Sequence, residues 1–164
     1  MIIEYNEKYN EEIKDLLVEL QEHISNIDKE GYNILTPQYR EDYFDETMEE
    51  VKKYQGKIYL YQENQKIIGL IIGLINNEAE CDSGFKAPKR GRISELVISK
   101  NARAKGIGTN LLEKMENYLK KVGCEDILIG VFGYNDKAIS FYKKNNYHTR
   151  MIEMTKKIGE KNAE

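Results

Sequence analysis

ISELVISKNARAKGIGTNLL, residues 93–112, decides how the rest of the chain is read. Its first half is an apolar strand and its second half opens a helix. Between them the chain turns through Gly106 and Gly108. At such a junction the free amide hydrogens of a helix's first turn and the positive end of its dipole share one concavity, which binds phosphate. Glycines let the ligand approach the backbone, and Arg103 and Lys105 add positive charge beside it. The plain alternative is a tight turn with solvated basic neighbours. Spacing separates the possible anion loops. A Walker loop needs G-x-x-x-x-G-K-[ST], which no segment supplies. A dinucleotide fingerprint needs G-x-G-x-x-G, but Leu111 stands at the third glycine position. What remains is R-x-x-G-x-G after a strand, on Arg103, Gly106 and Gly108.

Working outward, Ile2, Ile3 and Tyr5 predict a short first strand. Asn10 is the expected cap of a helix with Ile13, Leu16, Leu17, Leu20 and Ile24 on one face. Thr36-Pro37 opens a second helix, with Tyr39, Tyr43, Thr47, Val51 and Tyr54 as its inner stripe and Gly56 as its stop. KIYLYQ (57–62) and KIIGLIIGLIN (66–76) flank a polar link of hairpin length. Residues 77–92 read as a polar loop carrying Lys86, Lys89, Arg90 and Arg92, ahead of a strand over 92–99. The helix after the glycine turn ends at Gly123, and DILIGVF (126–132) is a buried strand. A short helix over 136–145 and a last strand or two over 147–158 complete the order βααβββαβαβ, a mixed α/β (α+β) fold. One domain is expected over 1–158, with a polar tail over 159–164.

Composition narrows the function classes. The 164 residues fit one domain, and a net charge of −3 argues against a dedicated nucleic-acid partner. Charge is uneven: residues 1–75 carry a net −8 and residues 76–164 a net +5, so one half suits a cation and the other an anion. Cys81 and Cys124 are too few for a disulfide scaffold and read as reduced thiols. The longest apolar run, Ile67 to Ile75, is about half a membrane span, and the N-terminus shows no export signal. A soluble cytoplasmic protein with no membrane partner is the expectation. His23 and His148 are isolated, so no metal is implied.

The R-x-x-G-x-G turn, RAKGIG, resembles the pyrophosphate motif of the GNAT N-acetyltransferase superfamily. A second signature, N-x-x-A-x-x-F-Y, matches Asn135, Ala138, Phe141 and Tyr142. The element order matches from Ile2 to Ile158; Asn146-Tyr147 departs from the family's usual Gly-Phe. The resemblance implies a twisted, mostly antiparallel sheet flanked by helices, and acetyl-coenzyme A as donor. Amides of Arg103, Ala104, Lys105, Gly106, Ile107, Gly108 and Thr109 would hold the pyrophosphate. Leu96, Val97 and Ile98 would pair with the pantetheine arm as with an added strand. The amide of Val97 or Ile98 would polarise the thioester carbonyl. Asn135, Ala138 and Phe141 would line the far wall, and Lys144 either reaches a phosphate or stays an exposed helix lysine.

Tyr142 is the expected acid for the departing thiolate, the alternative being a core tyrosine packed on Phe141. The attacking amine must be neutral, which costs about 4.6 kcal/mol for a lysine-like amine at pH 7. Glu95, a lone carboxylate in an apolar strand, is the candidate base, against a structural role. Alternation places Ile93, Glu95 and Val97 on one face. A variant with its acid on the next strand is absent, since Gly130 stands there. In this fold the first two helices wall the acceptor pocket, here with Tyr32, Tyr43 and Asp42, and Tyr39, Asp45 and Glu46 nearby. Acidic and aromatic groups together suit a cationic primary amine. The resemblance also allows a homodimer. Two rival functions are a non-catalytic acyl-coenzyme A sensor on the same fold and a nucleotide-binding protein with a chance Gly-x-Gly turn.

Overall fold

The structure, a computed structural model, describes residues 1–76 and 88–158. Lys86, Cys81 and the rest of 77–87, with the tail 159–164, lie outside the described residues. The elements are β1 (Ile2–Glu4), α1 (Asn10–Ile27), α2 (Tyr39–Lys53), β2 (Lys57–Glu63), β3 (Lys66–Asn76), β4 (Arg90–Ile98), α3 (Ile107–Lys121), β5 (Asp126–Ile129) and α4 (Asp136–Lys144). One sheet runs β1-β2-β3-β4-β5, antiparallel throughout except for the parallel β4–β5 pair. No described helix is long and apolar enough to cross a membrane.

Two cores cover the two faces. On one, Ile13, Leu16 and Leu17 of α1 and Phe44 of α2 pack on Leu60, Leu70, Ile72 and Val97. On the other, Ile107, Leu111, Leu112, Met115 and Leu119 of α3 pack on Tyr59, Ile71, Ile75 and Ile93. Alternation along β3 points Gly69, Ile71, Gly73 and Ile75 toward α3. The glycines make room: a Cβ at Gly73 would lie 2.3 Å from Met115 Sδ, and one at Gly91 2.7 Å from Leu119 Cδ1. The helix therefore seats directly on backbone, which fixes where its N-terminus emerges.

Several expectations change. Asn6, not Asn10, is the first cap, accepting the Lys8 N–H at 3.1 Å, while Asn10 accepts the Tyr5 hydroxyl at 2.9 Å. In α2 Phe44 takes the central core position, with Tyr43, Val51 and Tyr54 half-buried beside it. β4 starts at Arg90, and β5 stops at Ile129 rather than Phe132. The expected last strands are not present over 147–158, so among the described residues the order ends at α4. Met151, Ile152, Met154 and Ile158 are each at least three-quarters exposed, so this stretch buries no face that would stabilise a strand.

The largest departure is in β4. The β3–β4 register runs Ile72↔Glu95 and then Gly73↔Ile93, which makes Ser94 the extra residue of a β-bulge. Ile93 therefore belongs to the α3 core, whereas Val97 belongs to the α1/α2 core. Strict alternation had put them together. β5 pairs with Arg90–Ile93 only, up to the bulge, so residues 94–98 keep one open edge.

Gly73→Ala is expected to destabilise the fold by about 1–3 kcal/mol through overpacking against Met115. Urea denaturation checks this, with a matched loss of midpoint and unchanged slope as the expected result.

Candidate active site

The open edge presents specific groups. The Ser99 N–H bonds the Ile68 carbonyl at 3.0 Å, so Ser99 faces β3. Alternation then turns Val97 toward β3, and Leu96 and Ile98 outward. The Ile98 carbonyl accepts Arg103 Nε at 2.9 Å, in keeping with that outward direction.

Beyond β4 a 3-10 turn, Lys100–Ala102, leads into the glycine loop. Ala104 (φ 63°) and Gly106 (φ 76°) are both left-handed, the second as the residue that begins α3. Asn110 N–H is bonded to the Gly106 carbonyl at 3.1 Å, leaving the amides of Ile107, Gly108 and Thr109 at the helix mouth. A Cβ at Gly106 would meet nothing within 4 Å, while one at Gly108 would touch Phe141 Cζ at 3.4 Å. Gly108 is thus where α4 packs on α3, and Gly106 is where the loop stays open. Burial, then the charges of Arg103, Lys137 and Lys100, hold His23 below its usual value. Arg103 and Lys100 of the loop and Lys137 of α4 thus all act on His23 of α1. Lys137 and His23 gave no signal in the sequence, because only the fold gathers them.

On α4, Asn135 caps the helix by accepting the Ala138 N–H at 3.1 Å, which accounts for the Asn and its spacing. Phe141 meets Tyr142 edge-on at 5.2 Å, and Tyr142 meets Tyr147 at 5.7 Å. Tyr147 is anchored by its hydroxyl to Glu116 Oε1 at 2.8 Å. Burial pushes the Tyr142 phenol up to about 12, and the charge of Glu95 adds to that. The carboxylate of Glu95 therefore acts electrostatically on the Tyr142 phenol. Lys144 is exposed.

Glu95 is half-buried and accepts the Tyr43 hydroxyl at 2.6 Å. Burial lifts its carboxyl to about 7; the Tyr43 bond and Arg92 oppose the rise, and Glu50 adds to it. Arg92 is itself paired with Glu50 at 2.9 Å. Tyr39 stacks on Tyr43 with centroids 4.9 Å apart, and burial followed by Glu95 pushes both phenols above their usual range. Tyr39, Tyr43, Glu46 and Glu50 follow one another at helical spacing on α2; Glu46 acts on Tyr39, and Glu50 acts on Tyr43 and Glu95. Of the expected acceptor wall, Tyr43 is inside. Asp42 is exposed and Tyr32 is 69% exposed on the α1–α2 connection, so neither is brought to Glu95. Glu50 was not anticipated.

The acetyltransferase (GNAT) family model matches residues 29–147. The chain belongs to this family. An uncharacterised N-acetyltransferase of Methanocaldococcus jannaschii is 30% identical over 100 residues, covering 60% of this chain and 57% of that protein. The chain thus spans little more than half of that relative. A mutant protein from Bacillus halodurans shares the fold with a TM-score of 0.79 at 19% identity, covering 96% of this chain and 99% of that one. A GNAT-family acetyltransferase from Staphylococcus aureus does so with a TM-score of 0.67 at 23% identity, covering 88% and 82%.

The raised Glu95 value has a sign. The folded carboxyl keeps its proton to about pH 7, while the unfolded one releases it near 4.5, so this group costs stability as pH rises between the two. Glu95→Gln should therefore gain thermal midpoint relative to the native chain from pH 5 to pH 8. Parallel curves across that range would show that burial does not shift the carboxyl.

Proposed function

We propose that this chain is an N-acetyltransferase that moves acetyl from acetyl-coenzyme A to a primary amine by direct attack. One observation carries the reading: β4 leaves β5 at Ser94, which opens an edge over residues 94–98 that includes Glu95, and the charge of Glu95 acts on the Tyr142 phenol. Acetyl-coenzyme A supplies an activated acetyl thioester. The loop amides from Arg103 to Thr109, in the field of Arg103, Lys105 and Lys137, hold its pyrophosphate. Leu96 and Ile98 offer outward backbone groups to the pantetheine arm, and the Ile98 amide, rather than that of Val97, faces the thioester carbonyl. Phe141 and Ala138 line the far wall.

Glu95 takes the amine's proton. A base near pH 7 accepts it without remaining protonated at working pH, and Tyr43 holds the carboxylate in place. Tyr142 returns a proton to the departing thiolate. A phenol at about 12 is a weaker acid than a free tyrosine, so it stays protonated until the thiolate charge appears. Tyr39 and Tyr43 with Glu46 and Glu50 favour a cationic acceptor. The same proposal takes the protein as cytoplasmic, with no metal, nucleic-acid or membrane partner, with residues 1–158 as one domain and with a homodimer as its assembly.

Tyr142→Phe is expected to lower kcat about 10–100-fold while the KM for acetyl-coenzyme A stays within about threefold. Equal loss in both would return Tyr142 to the core. In an amine screen with thiol detection, kcat/KM should rise with pH through about 7, and Glu95→Gln should lose about 10²-fold together with that rise. Tight coenzyme A binding with no thiol release from any amine would identify the non-catalytic sensor instead.

A further inference from the structure

Glu19 stands on α1, on the opposite side of the sheet from α3, yet its carboxylate reaches the loop that opens α3. One oxygen, Oε1, accepts the backbone N–H of Lys100 at 2.6 Å and Arg103 Nη2 at 3.3 Å. Arg103 then carries the link onward, its Nε donating to the Ile98 carbonyl at 2.9 Å. The side chain of Glu19 is only 20% exposed, whereas the neighbouring Lys100–Glu22 pair is exposed on both sides and 3.4 Å apart, a contact of little weight. A carboxylate in this place repels an approaching anion, so charge alone gives it no use beside a phosphate loop. Its hydrogen bonds do.

The loop needs support from outside itself. Between β4 and α3 it makes a 3-10 turn and then passes through two left-handed residues, Ala104 and Gly106. A non-glycine residue at φ 63° is strained unless its surroundings hold it. α3 holds one end of the loop by seating on the sheet glycines. At the other end the Ser99 N–H is tied to Ile68 and Ala102 is buried, and from across the sheet one carboxylate oxygen binds both Lys100 and Arg103.

We infer that Glu19 is a positioning residue for acetyl-coenzyme A. It braces the loop from Lys100 to Gly106 at the height where its amides meet the pyrophosphate. Through Arg103 it also fixes the Ile98 backbone, whose amide faces the thioester. Arg103 is accordingly a structural link as much as a cation, with part of its charge already met by Glu19. The inference rests on the acetyl-coenzyme A reading and extends it to a residue outside both family signatures.

The test is calorimetric titration of the full chain with coenzyme A, using Glu19→Ala, Glu19→Asp and Glu19→Gln. Alanine removes both bonds; aspartate keeps the charge but is too short to hold both; glutamine keeps an acceptor oxygen without the charge. The expected dissociation constants are at least tenfold weaker for alanine, about fivefold weaker for aspartate and within threefold of native for glutamine. Amide exchange should quicken over 100–106 in the alanine and aspartate variants and stay unchanged in the middle of α3. Should the alanine variant fail to fold, the aspartate–glutamine contrast carries the test. Native affinity in both alanine and aspartate variants, tighter binding in alanine, or equal losses in aspartate and glutamine would overturn the inference. If the native chain itself binds no coenzyme A, the acetyltransferase reading falls and takes this one with it. If it binds and the alanine variant binds equally, only the brace falls.

Discussion

Everything specific about this molecule depends on one extra residue in β4. Ser94 interrupts the β3–β4 ladder, and three consequences follow from that single insertion. The parallel pairing with β5 ends at Ile93, so a strand buried in the sheet acquires an unpaired edge. The side-chain phase reverses, so that Ile93 stays in the α3 core while Val97 enters the α1/α2 core. Glu95 moves with Val97 and meets Tyr43 on α2. Without the bulge, one face of β4 would carry Ile93 and Glu95 together, and the carboxylate would be forced among the apolar side chains under α3.

The two halves of the chain, net negative and net positive, meet along that edge. α2 brings Tyr39, Tyr43, Glu46 and Glu50 toward Glu95, a surface suited to a cation. The β4–α3 loop and the start of α4 bring Arg103, Lys105 and Lys137, a surface suited to an anion. A chain of near-zero net charge thus separates its charges in space, and the separation matches a cationic acceptor and a pyrophosphate-bearing donor. The field within the cleft is coupled too. Ionised Glu95 disfavours ionised Tyr142 and Tyr43, which keeps both phenols protonated while the carboxylate is free.

Much of the fold was legible because it follows local rules. Period and glycine punctuation mark α1, α3 and the hairpin in the sequence, and a short helix was expected over 136–145, where α4 lies. The bulge was not legible, since alternation is a rule about regular strands and Ser94 looks like any other residue of one. The last strands expected over 147–158 are absent because Met151, Ile152, Met154 and Ile158 stay exposed, and a strand is stabilised only where a face is buried. In the site, the glycine loop stood out by spacing and Glu95 as a lone carboxylate in an apolar strand, whereas Tyr142 was singled out only through the family resemblance. Glu19, Lys137 and Glu50 were not, because their contacts join segments from 42 to 84 residues apart or arise only when α1, α2 and α4 close around the sheet.

The central claim is that the open edge of β4 and the loop beyond it form a seat for acetyl-coenzyme A. Thermal unfolding of the native chain with acetyl-coenzyme A, coenzyme A, NAD or ATP, each in large excess, tests it most directly. A ligand at about 100 times its dissociation constant adds about 2.7 kcal/mol, a rise of roughly 5–10 °C in a domain of this size. The account predicts that rise for the two coenzyme A species and none for NAD or ATP. A rise with NAD or ATP and none with coenzyme A would contradict it.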